Sequence, residues 1–572
     1  MNTDPASPRR PRRSSRPSTT SCADHATQGY AAPTRRQLLS LMASGTVLAA
    51  GGGLLSSCAR RGASTDGHVV LKTSGGWPYG PMPTKKDQQA NAGTKSYADV
   101  LGAWMDKNPG VTIRDVKLDV WNQQTLSTAI TGGTAPSMFP GDVLGGWNRQ
   151  AVRSAMAQGL SADVTEHLKA HDIAGKLASY VKPIWEKWQV DGKFYAAPWI
   201  YNVGTGLHYR VDLVRELGLK EPTPDWTWDD VRTLAKGLTK GKRKGIVLQG
   251  WGLNMRMSAD GMDFHAKLPA PATNWNWRWD YLSGADRWVP LIQGMRDMVY
   301  KDKSVLADVS MGDGDTLAAF VRGDAAMHNN TVIFFANTPG SDTAPADLAA
   351  RLKKPIEDVV GWMTQPIGLN GRTGTTQGQV DLVGFSPDMD DLALDKAISL
   401  HAWMKGPGWV EQKKATYAAT KDPKRVFDSA DFMPLFAGLV EQMPVTPDDA
   451  WGKPFMDQVR RASRIPLVPN EAFYFPAELS PGPTGTARDD MTSRWANERG
   501  TLDLRADLAK MQDTMNAQAR SFSSSTSDPD FVKAARGYFG AHDTYWRDNA
   551  PDYHREVFSP WYQNSVLPAL KG

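Results

Sequence analysis

The stretch that decides the fold begins with HVVLKTS at residues 68–74 and ends with VTIRDVKLDVW at residues 111–121. Apolar residues dominate or alternate in both segments, which predicts two strands. Between them lie a Gly-Gly-Trp-Pro-Tyr-Gly loop at residues 75–80 and a helical pattern over residues 97–106 that stops at an Asn-Pro-Gly sequence. A strand, a loop, a helix and a second strand predict the opening of an α/β lobe with a parallel sheet.

Helix and strand patterns continue along the chain. Residues 226–238 and 391–405 have apolar side chains at helical spacing, and Thr227 is the expected N-cap of the first of these helices. Residues 205–210 and 325–329 are expected to be strands. From residue 505 onward the pattern is helical, so the chain has an alternating first part and a mainly helical last part.

Length and composition favour a globular protein with more than one core. The chain has 572 residues, of which 41% are hydrophobic and 22% charged. Single hydrophobic cores stop growing at about 250–300 residues, so two lobes or domains are expected.

Charge and cysteine usage exclude several classes of function. Residues 1–57 contain seven arginines and two aspartates, and the rest of the chain has equal numbers of basic and acidic residues. A folded part without net charge has no general attraction to nucleic acid, so no nucleic-acid partner is expected. The two cysteines are Cys22 and Cys58. The folded part is therefore expected to lack disulfides, a thiolate nucleophile and a cysteine metal site.

The front of the chain has the pattern of a bacterial export signal over residues 1–57. Arg35 and Arg36 precede a weakly apolar stretch that ends at Leu55, which predicts a signal peptide and is similar to a twin-arginine signal. The alternative is an ordinary secretory signal that contains two adjacent arginines. Leu55-Ser-Ser-Cys58 resembles a lipobox, with Cys58 as the lipidated residue, and a stray cysteine is the alternative. Residues 58–67 are then a short tether.

Several segments together resemble one family. They are DGKFYAAP at residues 191–198, LHYRVDL at 207–213 and FVRGDAAM at 320–327, preceded by NPGV at 108–111. In this order they resemble the extracellular solute-binding proteins of bacterial ABC importers, family 1, in particular the carbohydrate-binding group. Arg210 and Val211 depart from the usual family pattern.

This resemblance implies an α/β fold of the periplasmic-binding-protein-like type II class, in which a hinge joins two α/β lobes and the ligand binds in the cleft between them. Lobe one is expected over residues 68–195 and 370–450, and lobe two over 197–365 and 455–572. The chain would cross between the lobes near residues 191–199 and 360–371.

The implied partners are a small-molecule sugar and the transmembrane subunits of an ABC permease. The protein is expected to be a monomer outside the cytoplasm, held to the outer face of the cytoplasmic membrane by its N-terminal lipid.

A sugar presents a C–H face that stacks on aromatic rings and a rim of hydroxyl groups that require hydrogen bonds. Aromatic and polar side chains at predicted strand ends and loops are therefore the candidate ligand-binding residues. They are Trp77, Tyr79, Trp121, Asp142, Trp199, Tyr201, Asn202, Trp251, Trp275 and Asn329. The alternative for any single tryptophan is a place in a lobe core.

No catalytic or metal-binding motif is present in the sequence, so neither catalytic residues nor a cofactor nor a metal are expected. Asp313-Gly-Asp315 could suggest calcium, but it lacks the rest of an EF-hand loop and fits a helix cap better. Two other functions stay open at this point. A secreted carbohydrate-active enzyme could carry two dispersed carboxylates, and a sensor without a transport role could share the fold.

Overall fold

A computed structural model describes fourteen segments of the chain. They are residues 64–65, 67–75, 77–145, 149–248, 266–267, 278–279, 281–306, 311, 313–332, 345–368, 379–427, 432–464, 485–520 and 528–570. The predicted signal peptide lies outside the described residues.

The described strands are short, and most of them lie in the first two thirds of the chain. They are β1 Ser64–Thr65, β2 His68–Ser74, β3 Val111–Val116, β4 Met138–Pro140, β5 Ala196–Asn202, β6 Thr205–Arg210, β7 Ile246–Val247, β8 Ala266–Lys267, β9 Arg278–Trp279, β10 Val305–Leu306, β11 Met327–Thr331, β12 Val360–Thr364 and β13 Gln379–Phe385.

Helices surround these strands and dominate the last third of the chain. They are α1 Lys85–Ala90, α2 Ala92–Asp106, α3 Gln123–Thr131, α4 Arg149–Ala155, α5 Thr165–Ala170, α6 Ile173–Lys176, α7 Lys182–Trp185, α8 Val211–Glu216, α9 Trp228–Leu238, α10 Ala285–Tyr300, α11 Asp313–Arg322, α12 Pro345–Leu352, α13 Asp391–Lys405, α14 Pro407–Thr420, α15 Pro423–Val426, α16 Pro447–Trp451, α17 Lys453–Ser463, α18 Gly485–Asn497, α19 Leu504–Arg520 and α20 Asp528–Asn549. Residues 551–569 continue as alternating α-helical and π-helical turns.

The strands form three main sheets. In the first, β2 pairs in parallel with β3, as the sequence predicts. In the second, β13 lies between β4 and β5 and is antiparallel to both. The third has the order β10-β7-β11-β6-β12. The chain passes from the second sheet to the third between β5 and β6, through residues 203–204, and returns between β12 and β13.

The buried apolar side chains form two cores. The first packs around β2, β4, β5 and β13 together with α2 and α13. The second packs around β6 together with α9, α10 and α19. Phe320 and Trp362 of α11 and β12 belong to the first core, so packing continues across the passage between the sheets. The lobe boundaries given above stay predictions.

Local capping explains where the helices begin. Thr227 is the N-cap of α9, as predicted, and forms a reciprocal capping box with Asp230. The helix predicted over residues 391–405 is confirmed as α13, which Asp390 caps. The helix predicted over residues 97–106 begins earlier, at Ala92, because the Asn91 side chain accepts hydrogen bonds from the first backbone N–H groups.

Two strand predictions were wrong in their bounds. The strand expected over residues 111–121 ends at Val116, because its partner β2 ends at Ser74, opposite Val116. The Ser74 hydroxyl donates a hydrogen bond to the Leu118 carbonyl just beyond this point. The strand expected over residues 325–329 is shifted by two residues to β11, where it pairs with β6. Within the described residues no helix is both long enough and apolar enough to cross a membrane.

Candidate functional site

Aromatic residues follow the ends of two neighbouring strands of the first sheet. Trp77 lies in the loop after β2, and Trp121 follows β3 after a short extended segment. Because β2 and β3 are parallel, their carboxyl ends lie at the same edge of the sheet. This edge is where open α/β sheets bind their ligands.

Four of the predicted residues form one aromatic cluster, which consists of Trp77, Tyr79, Trp121 and Trp199. The Trp77 ring lies at its centre, 5.7 Å from Trp121 in an edge-to-face arrangement and 5.2 Å from Trp199. Tyr79 also packs against Trp199, with ring centres 5.2 Å apart. These distances fall in the range of favourable aromatic pairs.

An irregularity in β5 brings Trp199 to the cluster. β13 pairs Asp381 with Ile200 and Leu382 with Pro198, so Trp199 is an extra residue without a partner in the register. Such a bulge bends the strand and redirects the side chain at that point. The sequence does not predict this irregularity, because it depends on the pairing with a strand about 180 residues away.

Helix α13 closes one side of the aromatic cluster. The Tyr79 hydroxyl and His401 Nδ1 are hydrogen-bonded, with 2.9 Å between the two atoms. The Lys405 ammonium lies 3.8 Å from the centre of the Trp199 ring, at cation–π distance. Sequence reasoning missed both residues, although their spacing of four places them on one face of the predicted helix.

Burial fixes the protonation states of the Tyr79–His401 pair. It raises the pKa of Tyr79 well above its ordinary value, with a smaller contribution from Tyr97. Burial, assisted by the charge of Lys405, lowers the pKa of His401 to about 3. At neutral pH the phenol therefore keeps its proton and the imidazole is neutral.

The aromatic cluster has a buried base and an exposed rim. Tyr79 is 3% exposed and Trp77 and Trp199 are half-buried, whereas Trp121 is 54% exposed. A large apolar ring held open to solvent beside other aromatic rings is a surface on which an apolar ligand face can stack.

Two other predicted residues have internal partners. Asp142 is buried, and one of its carboxylate oxygens accepts a hydrogen bond from the backbone N–H of Leu382 at 2.7 Å. Tyr201 is buried, and its ring packs against Tyr180 with centres 4.8 Å apart. Neither residue makes a described ring contact with the aromatic cluster, and a ligand role for them stays a prediction.

The two predicted asparagines are buried near the passage between the second and third sheets. Asn202 ends β5, and Asn329 lies within β11. In the part of the chain that the structure describes, Asn202 Oδ1 and both side-chain amide atoms of Asn329 lack a hydrogen-bond partner. Buried amides are nearly always hydrogen-bonded, which makes these atoms available to a polar ligand or to a rearrangement of the site.

A stacked histidine pair, His208 and His328, lies next to Asn329. The two rings face each other across β6 and β11, with centres 4.7 Å apart. Both side chains are buried, and among the described residues none of their four ring nitrogens has a hydrogen-bond partner. Sequence reasoning did not single out this pair, although both residues lie within or next to family segments.

The remaining predicted residues lie outside the described residues. They are Trp251 and Trp275 of the ligand set, Cys58 as the lipidation site, and Arg35 and Arg36 of the export signal. Within the described segments, no group of three or more His, Cys, Asp or Glu side chains could hold a metal ion.

Comparison with solved structures defines the class of fold. The GacH receptor of Streptomyces glaucescens was solved unliganded and with acarbose. Its alignment includes 80% of this chain and 99% of the receptor, with a TM-score of 0.51 and 15% identity. The alignment with maltose-bound MalE3 of T. maritima includes 80% of this chain and 98% of MalE3, with a TM-score of 0.51 and 16% identity. The alignment with a solute-binding protein of Agrobacterium vitis with bound D-mannitol includes 79% of this chain and 98% of that protein, with a TM-score of 0.51 and 20% identity.

These matches place the chain in the periplasmic-binding-protein-like type II fold, with two α/β lobes joined by a hinge, as expected from the sequence. Residues 86–380, just over half of the chain, match the bacterial extracellular solute-binding proteins. The chain belongs to this family, and its location is extracytoplasmic. A sequence search of curated proteins gives no match.

Proposed function

We propose that this protein is the lipid-anchored binding component of an ABC importer and that it captures a sugar, specifically an oligosaccharide, for delivery to the permease. The observation that carries this proposal is the aromatic cluster. It joins three indole rings in a row, Trp121, Trp77 and Trp199, and its outer member is exposed. Membership of the family supports the role of a binding protein, and the aromatic rings of the cluster favour a ligand with an apolar face.

The chemistry of the cluster fits a carbohydrate. The C–H face of a pyranose ring is apolar and flat enough to stack on an indole, while its hydroxyl groups need polar partners. A run of three indoles offers more aromatic surface than one sugar ring covers, which favours an oligosaccharide. Proteins of similar fold hold acarbose and maltose in their solved structures, which supports the same ligand class.

We further propose that ligand binding closes lobe one (residues 68–195 and 370–450) on lobe two (residues 197–365 and 455–572). The lobes would turn at the predicted crossings near residues 191–199 and 360–371, the first of which lies just before the passage from the second sheet to the third at residues 203–204. Hinge closure of this kind needs changes at only a few backbone positions. The permease would then distinguish the closed, loaded form from the open one.

A thermal-shift screen followed by calorimetry tests the ligand class. The panel is maltose, maltotriose, acarbose and D-mannitol, each in large excess over the protein. A ligand that binds only the native state stabilises it by mass action and so raises the melting temperature. At a ligand concentration of 100 times the Kd, the free energy of unfolding increases by about 2.7 kcal/mol. We expect maltotriose or acarbose to give the largest shift and the tightest calorimetric Kd. Release of smaller sugars from maltotriose would instead identify an enzyme.

Cys58 is the predicted point of membrane attachment, since it directly follows the apolar part of the signal. Changing Cys58→Ser removes the thiol that would carry the lipid. We expect the variant to leave the membrane fraction or to remain as the unprocessed precursor. Cys22→Ser is the matched control, and it should stay in the membrane fraction. Normal processing and membrane retention of the Cys58→Ser protein would contradict lipid anchoring.

A further inference from the structure

The contact between Tyr79 and His401 joins two distant parts of the chain. The two residues are 322 positions apart, yet they form one buried hydrogen bond of 2.9 Å. The His401 ring also lies 6.1 Å from Tyr79 and 6.5 Å from Trp199, measured between ring centres. His401 is thus in contact with the base of the aromatic cluster and lies away from its exposed rim.

We propose that His401 is a positioning residue for ligand binding: through Tyr79 it holds Trp199 in the orientation in which the aromatic cluster accepts a sugar. Lys405, one helical turn further along α13, holds the same indole from a second side. The proposal rests on the proposed function for its ligand, but the ring arrangement that it concerns can be measured without one.

The hydrogen bond is suited to positioning because it is directional and shielded from water. The bond joins two defined atoms, the Tyr79 hydroxyl oxygen and His401 Nδ1. With the hydroxyl held, the Tyr79 ring is kept in place beside Trp199, at 5.2 Å and an interplanar angle of 62°. Without this bond the tyrosine and the indole beside it gain rotational freedom, which the ligand must then remove.

Burial is the main reason why His401 stays neutral, and the Lys405 ammonium adds to this effect. The Tyr79 hydroxyl and the backbone of Pro198, which precedes Trp199, also face the ring, and the Pro198 contact raises the pKa of His401. The nearby positive charge disfavours a second positive charge on the imidazole. A carboxylate or an amine at position 401 would bring a charge into this buried site, whereas asparagine keeps an acceptor oxygen close to the position of Nδ1.

Three variants separate positioning from simple packing. His401→Leu removes the ring nitrogen, Tyr79→Phe removes the hydroxyl and little else, and His401→Asn keeps a polar side chain that can hydrogen-bond to the hydroxyl. Each is labelled with 5-fluorotryptophan, and the ¹⁹F resonance of Trp199 is assigned by its loss in Trp199→Phe. The resonance is recorded without ligand, and the Kd for the best sugar of the panel is measured by calorimetry.

We expect the Trp199 resonance to move or broaden in His401→Leu and in Tyr79→Phe, with affinity about three- to tenfold weaker in each. His401→Asn should keep most of the wild-type affinity, and the double variant Tyr79→Phe/His401→Leu should bind about as well as either single variant. An unmoved resonance with wild-type affinity in Tyr79→Phe would overturn the proposal. If the wild-type protein binds no sugar of the panel, the proposed function fails, while the resonance still decides whether His401 positions Trp199.

Discussion

The aromatic cluster and the histidine pair both contain a buried histidine in contact with other rings. They differ in the hydrogen bonds that these histidines make. In the cluster, His401 is hydrogen-bonded to Tyr79, and Trp121 reaches solvent. In the histidine pair, His208 and His328 lie inside the third sheet, and in the described part of the chain their ring nitrogens have no hydrogen-bond partner. Among the described residues, His401 thus keeps a hydrogen bond at Nδ1 and lacks one only at Nε2, whereas neither histidine of the pair has any.

This difference separates the proposed ligand surface from a feature that is expected to make the fold sensitive to acid. Loops and strand ends present the tryptophans of the cluster, so a ligand can reach them without disturbing a strand. The histidine pair is held by strand pairing on both sides, and a charge there would have to be accommodated inside a sheet. We therefore expect changes at the cluster to alter affinity and changes at the pair to alter stability.

The largest expected effect is the loss of stability in acid. Burial, together with His328, lowers the pKa of His208 well below its ordinary value, and burial lowers the pKa of His328 to about 3. Between about pH 6.5 and pH 3 the unfolded chain binds protons at these residues while the native protein does not. The free energy of unfolding therefore falls as the pH drops, by up to about 1.4 kcal/mol per pH unit for each histidine.

Urea unfolding of the wild type and of His328→Leu at pH 7.5, 6.0 and 5.0 tests this origin of the acid sensitivity. The urea midpoint of the wild type should fall more steeply with decreasing pH than that of the variant, because leucine has no proton to bind. Carboxylates contribute equally to both proteins and cancel in the comparison. Equal slopes would show that His328 titrates normally in the native state.

A smaller effect is expected from Trp77→Ala, which removes the central ring of the cluster. Loss of stacking on a ligand and of the contacts to Trp121 and Trp199 should weaken sugar binding by about 1–3 kcal/mol, or about 5- to 150-fold. Calorimetric titration measures this change. Trp185→Phe is the matched control, since Trp185 is 1% exposed and stacks on Phe194 with ring centres 4.6 Å apart. It should lower the melting temperature and leave affinity intact.

If Trp77→Ala behaves like Trp185→Phe, with a lower melting temperature and an unchanged Kd, then Trp77 is a core residue. That outcome would remove the cluster from the ligand site and leave the buried asparagines Asn202 and Asn329 as the candidates.

Local patterns in the sequence were sufficient to predict several helices and to select the aromatic members of the cluster as ligand candidates. Thr227 and the 391–405 helix were predictable because caps and helical spacing depend on neighbouring residues. Trp77 and Trp121 were predictable as ligand candidates because each follows a strand in a parallel pair.

Contacts between distant segments were not predictable from the same patterns. The bulge at Trp199 depends on the register of β13, and the bond from Tyr79 to His401 depends on how α13 packs against the first sheet. The histidine pair depends on the register of β6 against β11. Each of these is fixed by tertiary packing, which spacing along the chain does not encode.

The smallest perturbation is also the most direct test of the central claim that the cluster binds a sugar. Trp121 is 54% exposed, so Trp121→Ala should change the melting temperature by less than about 2 °C. The measurement is a calorimetric titration of Trp121→Ala with the best sugar of the panel, next to the wild type. The account predicts an affinity at least about fivefold weaker, by roughly 1 kcal/mol, at unchanged stability. An unchanged Kd in the folded variant would contradict it.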